Sequence, residues 1–208
     1  MKRIVAVFIL VSCLLASPTS AFGLTYYVLG LYNDASWSGC RSVNKVPSSI
    51  AFGSAGSYDA AVNTVYAQKD ELNGVEFGWE WERFANGTIS GPKMFGAEKY
   101  NGVWYYYKDK GGLTKGSSYT WFVKRSSGVW VGGVSSTSKV IYKSTFLYGK
   151  PVTGVERQLS GCRVSTNFSS MRKMNSGGTW STWPSITFQW NDPYYRPTGN
   201  TSAWNTVH

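Results

Sequence analysis

Short runs of Val, Tyr, Trp, Phe and Thr recur along the chain between clusters of Gly, Asn and Ser, and this rhythm constrains the fold more than any other feature. β-Branched and aromatic residues suit a pleated, half-buried surface, and the residues between them suit tight turns. The clear runs are Thr25–Tyr32, Gly74–Phe84, Val103–Lys108, Tyr119–Arg125, Val129–Val134, Lys139–Tyr148, Val152–Leu159, Arg163–Ser169 and Ser185–Trp190. Asn86-Gly87, Asn101-Gly102, Gly111-Gly112 and Ser127-Gly128 read as turns between them. Runs at this spacing predict an all-β chain folded as a two-sheet antiparallel β-sandwich. With 16% aromatic and 42% hydrophobic residues, the chain has enough apolar surface to exclude disorder.

One segment breaks the rhythm. Ser57–Leu72 places Tyr58, Ala61, Val62, Val65, Tyr66 and Leu72 at helical spacing, which predicts one short helix of about three turns. Val62, Thr64 and Tyr66 also alternate, so a strand over Ala60–Gln68 is the alternative. At the front, Lys2-Arg3, the apolar run Ile4–Leu15 and small residues at Thr19-Ser20-Ala21 read as a secretory signal over residues 1–21. A lipobox-like Leu10-Val11-Ser12-Cys13 offers lipid anchoring through Cys13 as the other reading. The expected organisation is therefore signal (1–21), sandwich domain (22–190) and a coil tail (191–208), in a secreted protein. No other stretch is apolar for the length a transmembrane span needs.

The single histidine, His208, closes the chain. That excludes Ser-His-Asp and Cys-His catalysis and multi-His metal sites, and no metal or cofactor is expected. Outside the leader only Cys40 and Cys162 remain. In an exported chain their simplest pairing is a disulfide, worth about 3–5 kcal/mol for a loop of about 120 residues; two buried thiols are the alternative.

Catalysis is thereby left mainly to carboxylates. Gly74-Val75-Glu76-Phe77-Gly78-Trp79-Glu80-Trp81-Glu82 alternates strictly. On a strand, Glu76, Gly78, Glu80 and Glu82 share one face, and Phe77, Trp79 and Trp81 the other. Clustered acids on a sheet face raise one another's pKa, as acid–base chemistry requires; a solvated face paired with lysines is the plainer reading. Glu76-Phe77-Gly78-Trp79-Glu80 also resembles the Glu-x-Asp-x-Glu strand of laminarinase-type glycosidases, with Gly78 in place of the Asp.

The layout of the chain resembles the glutamic peptidases of the eqolisin and neprosin types. Val75-Glu76-Phe77-Gly78-Trp79 resembles their first catalytic strand, with Glu where eqolisins carry Gln, as in the neprosin type. Val103-Trp104-Tyr105-Tyr106-Tyr107, Lys115-Gly116-Ser117-Ser118-Tyr119 and Gly128-Val129-Trp130-Val131 follow in the family's order. Gly154-Val155-Glu156-Arg157 falls where the second catalytic Glu stands. Lys108 and Arg157 depart from the pattern. The resemblance covers roughly residues 43–160. It implies a jelly-roll or concanavalin-like sandwich that hydrolyses peptide bonds with Glu76 and Glu156, and with Glu80 nearby. Trp79, Trp104, Tyr106 and Trp130 are the expected substrate-binding side chains.

The aromatic excess supports a second reading, a non-catalytic carbohydrate- or cell-wall-binding module whose rings stack on sugars. The expected partner is a polypeptide or a polysaccharide. A net charge of +10 adds an anionic polymer as a possible ligand, and a membrane-damaging β-rich toxin also fits aromatics with charge. No nucleic-acid-binding motif is present, and a monomer is expected.

Overall fold

The computed structural model describes residues 26–54, 56–107, 111–159 and 161–207. The segment expected to be a signal (1–21), with Cys13, and Lys108 lie outside them. Fifteen strands follow in chain order: β1 (Tyr26–Leu31), β2 (Gly39–Lys45), β3 (Asp59–Gln68), β4 (Gly74–Arg83), β5 (Ile89–Tyr100), β6 (Val103–Tyr107), β7 (Ser118–Ser126) and β8 (Val129–Val134). Then come β9 (Thr137–Ile141), β10 (Lys150–Arg157), β11 (Asn167–Met174), β12 (Trp180–Thr182), β13 (Thr187–Trp190), β14 (Arg196–Gly199) and β15 (Ala203–Val207). Seven form one sheet in the order β13-β1-β10-β3-β4-β5-β6. The others form an eight-stranded sheet, β14-β15-β11-β2-β7-β8-β9, with β12 on β11. Every pairing is antiparallel, so the expected sandwich is what forms.

The turns explain much of the register. Asn101-Gly102 joins β5 to β6, and Ser127-Gly128 joins β7 to β8; all four residues have positive φ. Two consecutive left-handed residues make the mirror-image turn whose twist matches a hairpin, and Gly takes that conformation without a Cβ clash.

The core lies between the sheets. Val65, Phe77, Trp79 and Val155 from one sheet meet Cys40, Trp121, Trp130 and Phe168 from the other. Burying each large side chain stabilises by about 2–3 kcal/mol. Buried indoles also place their N–H groups: Trp79 donates to Asn44 Oδ1 (3.1 Å) and Trp130 to the Phe146 carbonyl (2.7 Å).

Three expectations are corrected. The segment expected as a helix is β3, and the described residues contain no helix. β3 is buried along its whole length, so apolar residues occupy both faces, and their union mimics a 3.6-residue period. The thiols of Cys40 and Cys162 are free and buried rather than bridged. Cys40 points from β2 into the core and donates to the Val152 carbonyl (3.3 Å), and burial pushes both thiols up to about 12. The tail beyond Asn191 is not surface coil: it supplies β14 and β15. Trp204 on β15 is fully buried, stacks on Phe168 (4.5 Å, 17°) and donates to Thr153 Oγ1 (3.2 Å).

Candidate functional site

The seven-stranded sheet has an inner face against the core and an outer face turned away from it. Antiparallel register fixes which side chains share the outer face, because directly opposed residues point the same way. One transverse row runs Val152, Tyr66, Glu76, Ala97, Tyr106 across β10, β3, β4, β5 and β6. The next runs Leu29, Gly154, Thr64, Gly78, Phe95. A third runs Tyr27, Glu156, Val62, Glu80, Lys93. Two acid-bearing rows thus flank a row whose middle is Gly154, Thr64 and Gly78.

That small-residue row lets the flanking carboxylates lean together. A Cβ on Gly78 would overlap the Asn63 carbonyl, so only glycine permits β3 and β4 to approach as they do. Glu76 and Glu156 stand diagonally across Thr64 and line one small cavity, closed by Leu29, Tyr66, Val152 and Trp104. Its volume of about 10 Å³ is at the threshold for holding one water. Both carboxylates are buried, with 4% of Glu76 and 8% of Glu156 exposed. Oε1 of Glu76 has no hydrogen-bond partner among the described residues. Burial foremost, and then the Glu156 carboxylate, push Glu76 well above the ordinary carboxylate range. Glu80 adds to the rise, and a hydrogen bond with Thr64 opposes it. The phenols feel the same field: burial and then Glu76 and Glu156 raise Tyr66, and burial with the same two glutamates and Glu80 pushes Tyr106 to about 12.

The remaining acids differ. Glu80 is fully buried on the same face, directly opposite Lys93 across the β4–β5 ladder. Glu82 accepts from the Tyr58 hydroxyl (2.6 Å) and pairs with Lys93 (3.6 Å), a structural arrangement. Glu98, on the inner face, accepts from Tyr107, from the backbone N–H of Lys143 and Ser144 and from the Ser144 hydroxyl, and so staples the segment after β9 to β5.

The aromatic residues divide in the same way. Trp104 and Tyr106 lie on the outer face beside the cavity, with rings 6.4 Å apart and nearly parallel (14°). Trp79 and Trp130 are fully buried between the sheets and are packing residues there. Tyr66, Thr64 and Gly154 escaped the sequence reading of the site; the Val62-Thr64-Tyr66 alternation was the signal for the first two. Among the described residues no three His, Cys, Asp or Glu side chains converge as metal ligands.

No protein-family model matches the chain, and no curated protein matches its sequence. Solved structures do match its fold. SCP-B, a member of the eqolisin family of peptidases in complex with the tripeptide Ala-Ile-His, superposes with a TM-score of 0.58 over 88% of this chain and 98% of its own, at 12% identity. Scytalido-glutamic peptidase with a peptide-based transition-state analogue gives 0.59 over the same shares, also at 12% identity. The chain therefore shares the β-sandwich fold of the glutamic peptidases, a likeness of architecture carried by very little sequence.

Proposed function

We propose that the protein is a glutamic-type hydrolase that cleaves peptide bonds with Glu156 and Glu76. The observation that carries this reading is the pair of buried carboxylates sharing a one-water cavity on the outer face of the seven-stranded sheet. Glu98, which serves structure, is by contrast hydrogen-bonded through both of its oxygens.

The environment of each carboxylate suggests its role. Glu76 is held as the neutral acid by burial and by Glu156, so it can donate a hydrogen bond to an oxyanion. Glu156, the more exposed of the two, is the general base. It takes a proton from the trapped water as that oxygen bonds to the scissile carbonyl carbon. The carbonyl π electrons move to oxygen, where the Glu76 hydroxyl stabilises them. The tetrahedral species collapses, the C–N bond breaks, and the amine leaves with the proton that Glu156 carried. Thr64 holds the Glu76 carboxyl between the two rows, and Trp104 and Tyr106 give the substrate chain an aromatic floor.

Digestion of an acid-denatured protein substrate near pH 4 tests this. Wild type is expected to cleave, and Glu76→Gln and Glu156→Gln each to lose about 10²–10⁴-fold in kcat. Undiminished cleavage in both variants would overturn the assignment. The stacked Trp104–Tyr106 pair also favours a second reading, a carbohydrate-binding face. Under that reading a glycan array shows binding that Trp104→Ala abolishes and Glu76→Gln leaves intact.

A further inference from the structure

Charge is divided unevenly between the two sheets. The strands of the seven-stranded sheet carry every acid discussed above, whereas those of the eight-stranded sheet carry eight basic residues and no acidic one. The register concentrates part of that charge. Arg41 on β2 is directly opposite Arg172 on β11, and on its other side it is opposite Phe122 of β7. Like charges directly opposite in a ladder destabilise a sheet, and here no acid on any strand of the sheet offsets them. The repulsion is felt: burial and then Arg172 lower the pKa of Arg41.

These cations line two adjoining grooves of about 380 and 210 Å³ that share Arg41, Ser135 and Ser136. Val43, Thr120, Ser170 and Arg172 complete the larger, and Lys124, Phe122 and Trp180 the smaller. Cations and hydroxyls thus make up most of the lining, with Val43 and the rings of Phe122 and Trp180 between them. Each of its two rings carries a cation over one face: Arg41 lies 4.7 Å from the centre of the Trp180 ring and Lys124 lies 5.3 Å from that of Phe122.

We infer that this groove on the outer face of the eight-stranded sheet binds an acidic polysaccharide. Guanidinium forks pair with carboxylates or sulfates, and the hydroxyl side chains match the hydroxyls of the sugar rings between those anions. Cross-strand neighbours such as Arg41 and Arg172 are about 5 Å apart, close to the length of one sugar unit in a polymer. Single-stranded nucleic acid fits less well, because it needs a succession of aromatic platforms for its bases, and the two rings here already carry cations. A membrane surface would need a broad apolar patch, where this groove interleaves its few apolar side chains with cations and hydroxyls. The inference is independent of the hydrolase reading, since it uses the other sheet.

The test is retention of the full chain on immobilised polygalacturonate at low salt. Wild type is expected to bind and to elute as salt screens the charges. R41Q/R172Q is expected to bind at least about tenfold more weakly, the loss of two charge-assisted contacts. Its melting temperature stays the same or rises, because a like-charge pair is removed. Lys124→Gln, at the far end of the groove, weakens retention severalfold and reports independently of the Arg pair. Glu76→Gln binds as wild type does. Equal retention of R41Q/R172Q and wild type would refute the site. Tighter binding of a thymidine oligonucleotide or of phosphatidylserine vesicles than of polygalacturonate would refute the polysaccharide.

Discussion

Glu156 and Arg157 are neighbours on β10, yet they face opposite sides of the sheet and meet opposite treatment. The Arg157 guanidinium is 2% exposed and fully engaged. It pairs with both Asp192 oxygens (2.6 and 2.7 Å), donates to the carbonyls of Leu159 and Cys162, and lies against the rings of Tyr26, Tyr194 and Tyr195. Asp192 in turn accepts from the backbone N–H groups of Tyr194 and Tyr195. On the other face, Glu156 is set beside a second buried carboxylate whose pKa it raises. The lesson is that the buried charge of Arg157, which ties the C-terminal segment to β10, is compensated in full. At Glu76 and Glu156 the fold keeps a repulsion that stability alone would not retain.

The comparison can be broken at several points. The largest effect is expected at the clamp: Asp192→Ala leaves the Arg157 guanidinium buried without its counter-ion and should cost about 3–5 kcal/mol in urea unfolding. Next is Gly78→Ala, whose methyl group meets the Asn63 backbone; about 1–3 kcal/mol of lost stability is expected, together with loss of any hydrolytic activity, because β3 and β4 must part.

The pH dependence separates the two regions by sign. The pKa of Glu76 is raised in the folded state, so its favourable share is complete below the unfolded value near 4.5 and is lost as pH climbs through the folded value. The pKa of Asp192 is lowered in the folded state. Burial raises it, but the Arg157 hydrogen bonds and the two backbone N–H bonds outweigh burial, so its share is present above about 3.8 and is lost as pH falls through the folded value. Melting temperatures from pH 3 to pH 8 should therefore peak under mildly acidic conditions. Glu76→Gln should flatten the neutral side and leave the acid side alone; an unchanged neutral limb in that variant would contradict the repulsion. The smallest expected effect is none at all: a reducing agent should leave the melting temperature where it was, since Cys40 and Cys162 are not bridged.

How far the sequence foretold this depended on what each strand places on its two faces, since β3 and β4 are both buried along their whole length. β4 alternates acid with aromatic, and its register sets Glu76, Glu80 and Glu82 on one side and Phe77, Trp79 and Trp81 on the other, as the pattern predicts. The Asn101-Gly102 and Ser127-Gly128 turns were equally legible because their chemistry is local. β3 was less legible, since Ala61 and Val65 on one face and Val62 and Tyr66 on the other are all apolar, and the Val62-Thr64-Tyr66 alternation was its one trace. β2 and β5 mix Gly, Ser and Lys with apolar residues, and their propensity is weak until neighbouring strands supply the ladder. The diagonal approach of Glu76 and Glu156 depends on pairings between residues far apart in the chain, so composition revealed the two acids but not their meeting. The core positions of Trp79 and Trp130 were hidden for the same reason: an indole suits a binding face and a core equally well.

The pairing of early strands with late ones sets the pace of folding. β1 joins β10 and β13, β2 joins β11, and β15 seals the core with Trp204. Most of these contacts link segments more than a hundred residues apart, so loop closure must come before most of the stabilising burial. Such a chain collapses slowly and keeps the edge of β11 open until the last strand arrives. Its most vulnerable moment is the interval before β15 docks, when an unpaired edge and an uncovered Phe168 invite association with another copy.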